Sequence, residues 1–265
     1  SNYLPNETLM GLLVHNGKDY SDKLEIRHLI SHTSGLPCYL IDKGPDGKKN
    51  MDLILSGNDQ SWPLEKVVCE VKKMKFKFIP ESKGKASYSE TNFRLLDRVL
   101  EVVTNKTIQD LLTDVFQELE MDNTFVLPSK SADNCAPTYF KQNQIEIKEY
   151  WISTNHDIAS TAADQMKFIR AFFDGKYFSK EFINELKKWN NIFFPFKYGI
   201  GIQKFYIPRF LSPFKAVPEL IGHCGSVGSI AFYVPDKQVY ITGTVNQTNN
   251  PNIVFQTMIK IVNKL

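Results

Sequence analysis

Near Tyr198 the spacing of apolar residues changes period, and this constrains the fold more than any other feature of the chain. Before it, apolar residues recur every three or four positions, the repeat of a helix with one buried face. Leu24 to Ser31 has that spacing and is stopped by Gly35 and Pro37. Ser61 and Pro63 signal a second helix with Leu64, Val67, Val68, Val71 and Met74 on its apolar face. A third is expected just after Tyr88, burying Phe93, Leu95, Leu96, Val99, Leu100 and Val103, and a fourth from Ile108 to Leu119. Ala162 to Phe173 and Ser179 to Trp189 read as two more, the latter with Ser179 as N-cap. Beyond the change, Tyr198 to Ile207, Gly228 to Val234 and Val239 to Asn246 are rich in β-branched and aromatic residues, and Pro235-Asp236-Lys237 turns between the last two. Asn252 to Val262 closes the chain as an amphipathic helix. The expectation is α+β, with residues 1–190 mainly helical and 191–265 holding antiparallel strands and a terminal helix. Three strands make a small sheet for 265 residues, so further strands are expected from a segment ahead of Ser1.

Composition excludes several classes. With 42% hydrophobic and 23% charged residues, the chain has the balance of a globular protein with a substantial core. Its net charge of +3 is small and scattered. The densest basic cluster, Lys72, Lys73, Lys75 and Lys77, is interrupted by Phe76 and Phe78 and reads as a solvated helix face entering a half-buried strand, so no nucleic-acid partner is expected. No apolar run approaches the roughly 20 residues that cross a bilayer. The opening segment is polar and shows no signal peptide. Cys38, Cys69, Cys135 and Cys224 are far apart and read as free buried thiols. His15, His28, His32 and His156 show no metal-ligand spacing; His28 and His32, four apart, read as packing residues. No cofactor or metal is expected, and no feature fixes an oligomeric state.

Four segments carry chemistry: Ile26-Arg27-His28-Leu29-Ile30-Ser31-His32-Thr33-Ser34-Gly35-Leu36-Pro37, Tyr88-Ser89-Glu90-Thr91-Asn92-Phe93, Asp157-Ile158-Ala159-Ser160-Thr161-Ala162 and Gly222-His223-Cys224-Gly225-Ser226-Val227-Gly228. In this order they resemble the β-lactamase-related serine hydrolases and penicillin-binding proteins of the class C-like branch, over about residues 3 to 247. The resemblance implies a helical subdomain beside an antiparallel sheet flanked by helices. It implies acyl transfer through a serine ester, of the D-Ala-D-Ala peptidase, esterase or β-lactamase kind, on a small acyl, peptide or β-lactam-like substrate. An extracytoplasmic or cell-surface location is also implied. Carried over residue by residue, Tyr88 is general base and proton shuttle, since a serine hydroxyl needs a base to take its proton. His223 stands where the third-motif lysine lies, and the Ser226 N–H supplies an oxyanion donor. Glu90, Cys224 and Gly225 fall on the substrate-binding side.

This sequence departs from the family pattern at three of these positions. Glu90 replaces the Asn that donates to the substrate amide, His223 replaces Lys, and Cys224 replaces Thr. The first two substitutions lead to the expectation of a Glu90–His223 charge pair, which would disfavour a substrate carboxylate. The nucleophile motif Ser-x-x-Lys needs Ser at a helix start and Lys one turn on. Ser82-Lys83-Gly84-Lys85 lies in a polar loop, and Ser212-Pro213-Phe214-Lys215 is irregular; both follow the His-Thr-Ser-Gly segment, the wrong order for the family. Ser34 reads as a turn residue. Cys224 beside His223 is a weak nucleophile candidate, because neighbouring strand residues face opposite ways. The expectation is a nucleophile ahead of Ser1 and an inactive chain; the competing reading is a non-catalytic relative that binds a ligand or partner.

Overall fold

The change of period marks a change of architecture, but the sheet has six strands rather than three. A computed structural model describes residues 3–80, 82–129, 133, 135–212, 216–250 and 252–265. The chain begins with α1 (Asn6–Leu9), a small ladder of β1 (Val14–His15) and β2 (Lys18–Asp19), α2 (Ile26–Ile30), α3 (Asn50–Leu55), α4 (Leu64–Lys73), α5 (Glu90–Thr104) and α6 (Ile108–Glu118). Next come β3 (Phe125–Val126), β4 (Tyr139–Phe140), β5 (Asn143–Gln144), α7 (Lys148–Thr154), β6 (Ile158–Ala159), α8 (Ala162–Phe173) and α9 (Lys180–Leu186). The remainder is β7 (Asn190–Phe193), β8 (Phe196–Tyr198), β9 (Gln203–Phe205), β10 (Leu220–Cys224), β11 (Ile230–Val234), β12 (Val239–Gly243) and α10 (Asn252–Val262).

β7 to β12 form one antiparallel meander in which every strand pairs with its sequence neighbour. Of the three extra strands, β10 is the one that carries Gly222-His223-Cys224, and the other two have local causes. Gly199 and Gly201, the latter at φ +69°, break the expected Tyr198–Ile207 strand into β8 and a separate β9. β7 opens with two asparagines and alternates weakly, so it carries little strand signal.

Alternation along β11 explains how the sheet is covered. Ile230, Phe232 and Val234 point to one face and are buried against Val254, Phe255, Met258 and Val262 of α10. Ala231 and Tyr233 point the other way, where Ile169 and Phe173 of α8 and Ile183 and Leu186 of α9 pack with Ile221. α8 and α9 precede residue 190 yet pack on the sheet. The helical body has its own core, in which Leu13, Leu36, Tyr39, Val67, Val71 and Leu95 are fully buried around Trp62.

Several expectations shift. α2 ends at Ile30, and His32 leaves it at φ +57° instead of continuing the helix face of His28. Leu100 and Val103 of α5 are exposed, whereas Thr91, Asn92 and Arg94 in its first turns are buried. Cys69 and Cys135 are exposed, so only Cys38 is a fully buried thiol. Phe232 is completely buried where the sheet meets α10. Phe232→Ala is expected to destabilise the fold by about 3–5 kcal/mol, read as the shift in urea unfolding at unchanged slope.

Candidate active site

The site is built where the loop after α2 docks on the first turn of α5. Gly35, at φ +76°, lets the loop pass so close to the next segment that a Cβ there would sit 1.7 Å from the Phe78 carbonyl oxygen. The Pro37 carbonyl accepts from Ser89 Oγ (2.9 Å) and Thr91 Oγ1 (2.7 Å). Ser34 Oγ donates to Asn92 Oδ1 (2.7 Å) and accepts from the Leu36 N–H (3.1 Å), so Ser34 is the expected turn residue. His32 Nδ1 faces the Ser89 N–H (3.2 Å) and Asn92 Nδ2 (3.1 Å). Because a backbone N–H can only donate, Nδ1 is the acceptor and the proton sits on Nε2. Among the described residues, Nε2 has no hydrogen-bond partner. Its ring lies edge-on to Tyr198 (4.4 Å) and tilted against Tyr88 (4.6 Å) and Phe93 (5.4 Å). Burial, with His223 nearby, pushes His32 down to about 3, and the ring is neutral.

Tyr88 and Glu90 stand together at the start of α5. The Tyr88 hydroxyl donates to Glu90 Oε2 (2.9 Å). Burial and the Glu90 charge push the Tyr88 phenol well above its ordinary value, which disfavours a phenolate base. Glu90 does not meet His223, so the expected charge pair is absent. Its other oxygen, Oε1, lies 3.5 Å from His156 Nε2, and His156 Nδ1 is 2.5 Å from Asp97 Oδ2. Burial raises the Glu90 carboxyl, and His156 and the Tyr88 hydroxyl only partly offset this. Both Glu90 oxygens are thus engaged away from the substrate-amide role of the family Asn.

Helix geometry gathers this cluster. Glu90, Arg94 and Asp97 are spaced i, i+4 and i+7 along one face of α5. The buried Arg94 guanidinium donates to the carbonyls of Thr154 (2.7 Å) and Ser153 (3.0 Å), the otherwise unpaired end of α7. Asn155 then turns the chain in the left-handed conformation at φ +56°, which brings His156 back onto α5. His156, Asp97 and Tyr198 were missed by sequence reasoning. The only available signal was the i, i+4, i+7 run of ionisable residues beside the Tyr88 motif.

His223 lies on β10. Its Nδ1 is 2.9 Å from the Cys224 carbonyl, which can only accept, so Nδ1 carries the proton and Nε2 accepts a hydrogen bond from the Tyr198 hydroxyl (3.0 Å). Burial lowers His223 below its ordinary value, and it is neutral rather than a stand-in for a lysine cation. The Cys224 Sγ turns instead to Gln203 Oε1 (3.0 Å), and burial pushes the thiol up to about 12. A thiolate is disfavoured, and Cys224 is no nucleophile. Gly225 and Ser226 are exposed in the turn from β10 to β11, closed by Gly225 N–H to the Ser229 carbonyl (2.9 Å). Tyr88, His32, Tyr198 and His223 therefore form one contiguous group of rings.

No serine joins the Tyr88 hydroxyl among the described residues. Ser82 lies in a turn with its Oγ on the Ile79 carbonyl, not at a helix start. Of Ser212-Pro213-Phe214-Lys215, the last three lie outside the described residues. Ser87 Oγ accepts from Lys77 Nζ (2.7 Å), but that ammonium is paired with Asp42 (2.7 Å) and has no lone pair for a proton. Among the described residues, no group of His, Cys, Asp and Glu could hold a metal ion.

The Beta-lactamase family model matches residues 1–257, and the chain belongs to that family. Its fold is similar to that of a D-stereospecific amidohydrolase from a Streptomyces species, at 23% identity and TM-score 0.70, covering 95% of this chain and 76% of that one. It is also similar to the D-amino acid amidase from Ochrobactrum anthropi SV3, at 21% identity and TM-score 0.72, covering 93% and 74%. A penicillin-binding protein from Bacillus halodurans aligns at 19% identity and TM-score 0.66, covering 95% and 78%. No curated protein sequence matched the chain.

His32 makes the fold sensitive to acid. An unfolded chain protonates this imidazole below about 6.5 and the folded chain only below about 3, so protons favour unfolding between those values. Stability is expected to fall with pH through that window, by at most about 1.4 kcal/mol per unit from this group. Urea unfolding at stepped pH measures the slope, and His32→Gln should flatten it.

Proposed function

We propose that this fold cleaves small amides or esters, with amino acid amides preferred over β-lactams, through a serine ester. The observation that carries this reading is the Tyr88 hydroxyl, held by Glu90 within the ring group of His32, Tyr198 and His223. In the acylation step, the attacking hydroxyl gives its proton to the Tyr88 oxygen while the Tyr88 proton passes to Glu90. Tyr88 remains neutral throughout, which avoids the costly phenolate, and Glu90 becomes the carboxylic acid. The return of that proton through Tyr88 to the leaving group restores both residues. The Ser226 N–H, which has no acceptor among the described residues, is the proposed oxyanion donor, with Gly225 and Cys224 beside it. A neutral His223 offers no cation to a substrate carboxylate, which supports the preference against β-lactams. Structural neighbours named as D-stereospecific amidohydrolase and D-amino acid amidase support the amide class.

The 265-residue chain by itself is proposed to form no acyl-enzyme. Its buried serines near the site are committed elsewhere: Ser34 to Asn92, and Ser89 to Pro37. The same observation favours a second reading, a non-catalytic relative that keeps the fold to bind a ligand or partner. Incubation with a fluorophosphonate and a labelled penicillin, followed by intact-mass spectrometry, should show no covalent adduct. An adduct on any serine of this chain would overturn the inactivity. Sequencing the coding region around these residues separates the two readings: Ser-x-x-Lys opening an apolar helix supports the hydrolase, and its absence supports the binder.

A further inference from the structure

We propose that His156 is a positioning residue: gripped by Asp97, its imidazolium holds Glu90 as the anion that receives the Tyr88 proton. The inference rests on the reading of Tyr88 as a proton shuttle and explains how a buried carboxylate serves it. An unpaired anion at that depth would take up a proton, and Glu90 would then donate to the Tyr88 oxygen instead of accepting from it. Direction matters, because a shuttle whose acceptor already carries a proton cannot accept another.

The geometry forms an unbroken line. Tyr88 Oη is 2.9 Å from Glu90 Oε2, Glu90 Oε1 is 3.5 Å from His156 Nε2, and His156 Nδ1 is 2.5 Å from Asp97 Oδ2. His156 thus has one carboxylate at each ring nitrogen, an arrangement satisfied when both nitrogens carry protons. Burial opposes a charged ring, but the Asp97 hydrogen bond and the charges of Asp97, Glu90 and Asp157 leave His156 above its ordinary value. Other ionisable groups face the line from every side. Arg94, on the α5 face with Glu90, lies 3.8 Å from Asp97 and is held by α7 carbonyls. Asp157 accepts from Thr154 Oγ1 (2.8 Å). Cys38, Tyr39, Tyr150 and Tyr198 surround Glu90, and burial keeps each protonated. His156 and Arg94 are therefore the cations set against Glu90, Asp97 and Asp157.

The test needs no turnover. In the chain as it stands, 13C NMR of labelled glutamate and histidine side chains follows Glu90 and His156 with pH, the Glu90 signal being assigned by its loss in Glu90→Gln. His156 is expected to titrate above 6.5, its ordinary value. His156→Gln should raise the Glu90 midpoint by about one pH unit or more, as loss of a close opposite charge does. Asp97→Asn should lower the His156 midpoint. A Glu90 midpoint unmoved in a folded His156→Gln would overturn the proposal. So would a wild-type His156 titrating at or below 6.5, which decides the matter even if the variants do not fold. Because these midpoints are independent of acyl chemistry, a failed hydrolase reading leaves the ion-pair result standing. A failed ion pair likewise leaves amide cleavage open.

Discussion

The Pro37 carbonyl oxygen receives two hydroxyls, from Ser89 and Thr91, and this small convergence carries much of the molecule. With the Ser34–Asn92 bond and the contacts of His32, it fixes the loop after α2 onto the first turn of α5. Ser89 stands at the N-cap but makes no cap with its side chain, so its hydroxyl is free to make this tertiary bond. The Ser89 N–H is turned to His32 instead. Tyr88 and Glu90, on either side of Ser89, inherit their orientation from that docking. Each hydrogen bond in such a buried cluster contributes about 1 kcal/mol. What they contribute together is a single register between two segments more than fifty residues apart.

The electrostatics of the site follow from its depth. Most of the titratable groups around Tyr88 are held neutral: His32 and His223 by loss of water, and Tyr39, Tyr198 and Cys38 by the cost of a buried anion. Charge is confined to one strip along α5, where Glu90, Arg94 and Asp97 meet His156. The helix favours this placement, because its N-terminal end is positive and Glu90 is its first residue. Neutral rings therefore line one side of Tyr88, and compensated charges lie on the other.

Much of this was legible in the chain. The apolar repeats gave α8 and α10 their limits and placed α4 and α6 within a residue or two. The four motifs identified the family and drew attention to Tyr88 and His223. Ser34 was readable as a turn residue because it belongs to the His32-Thr33-Ser34-Gly35 signature itself. The pairing of Glu90 was not legible: two substituted positions suggested each other, but motif order carries no information about side-chain direction. Its real neighbour, His156, lies in a segment whose path depends on Asn155 and on Arg94 reaching the end of α7. β7 and the β8–β9 break were hidden for a simpler reason, since very short strands with polar or glycine positions leave almost no periodicity to read.

α7 has seven residues, too few to be stable alone, and both of its ends are held by side chains from elsewhere. Asp59 accepts from the backbone N–H groups of Glu149 and Tyr150 at its start, and Arg94 takes the carbonyls at its finish. The helix is thus anchored to the body by its own termini, independently of the 29 residues that separate it from α6. That intervening stretch nonetheless bears on His156 from the other side: β3 within it pairs with β6, and the Leu127 N–H donates to the Asp157 carbonyl (2.8 Å). His156 is thus seated between two clamps, the held ends of α7 before it and the β3–β6 ladder after it, and a change in either would carry it away from Glu90.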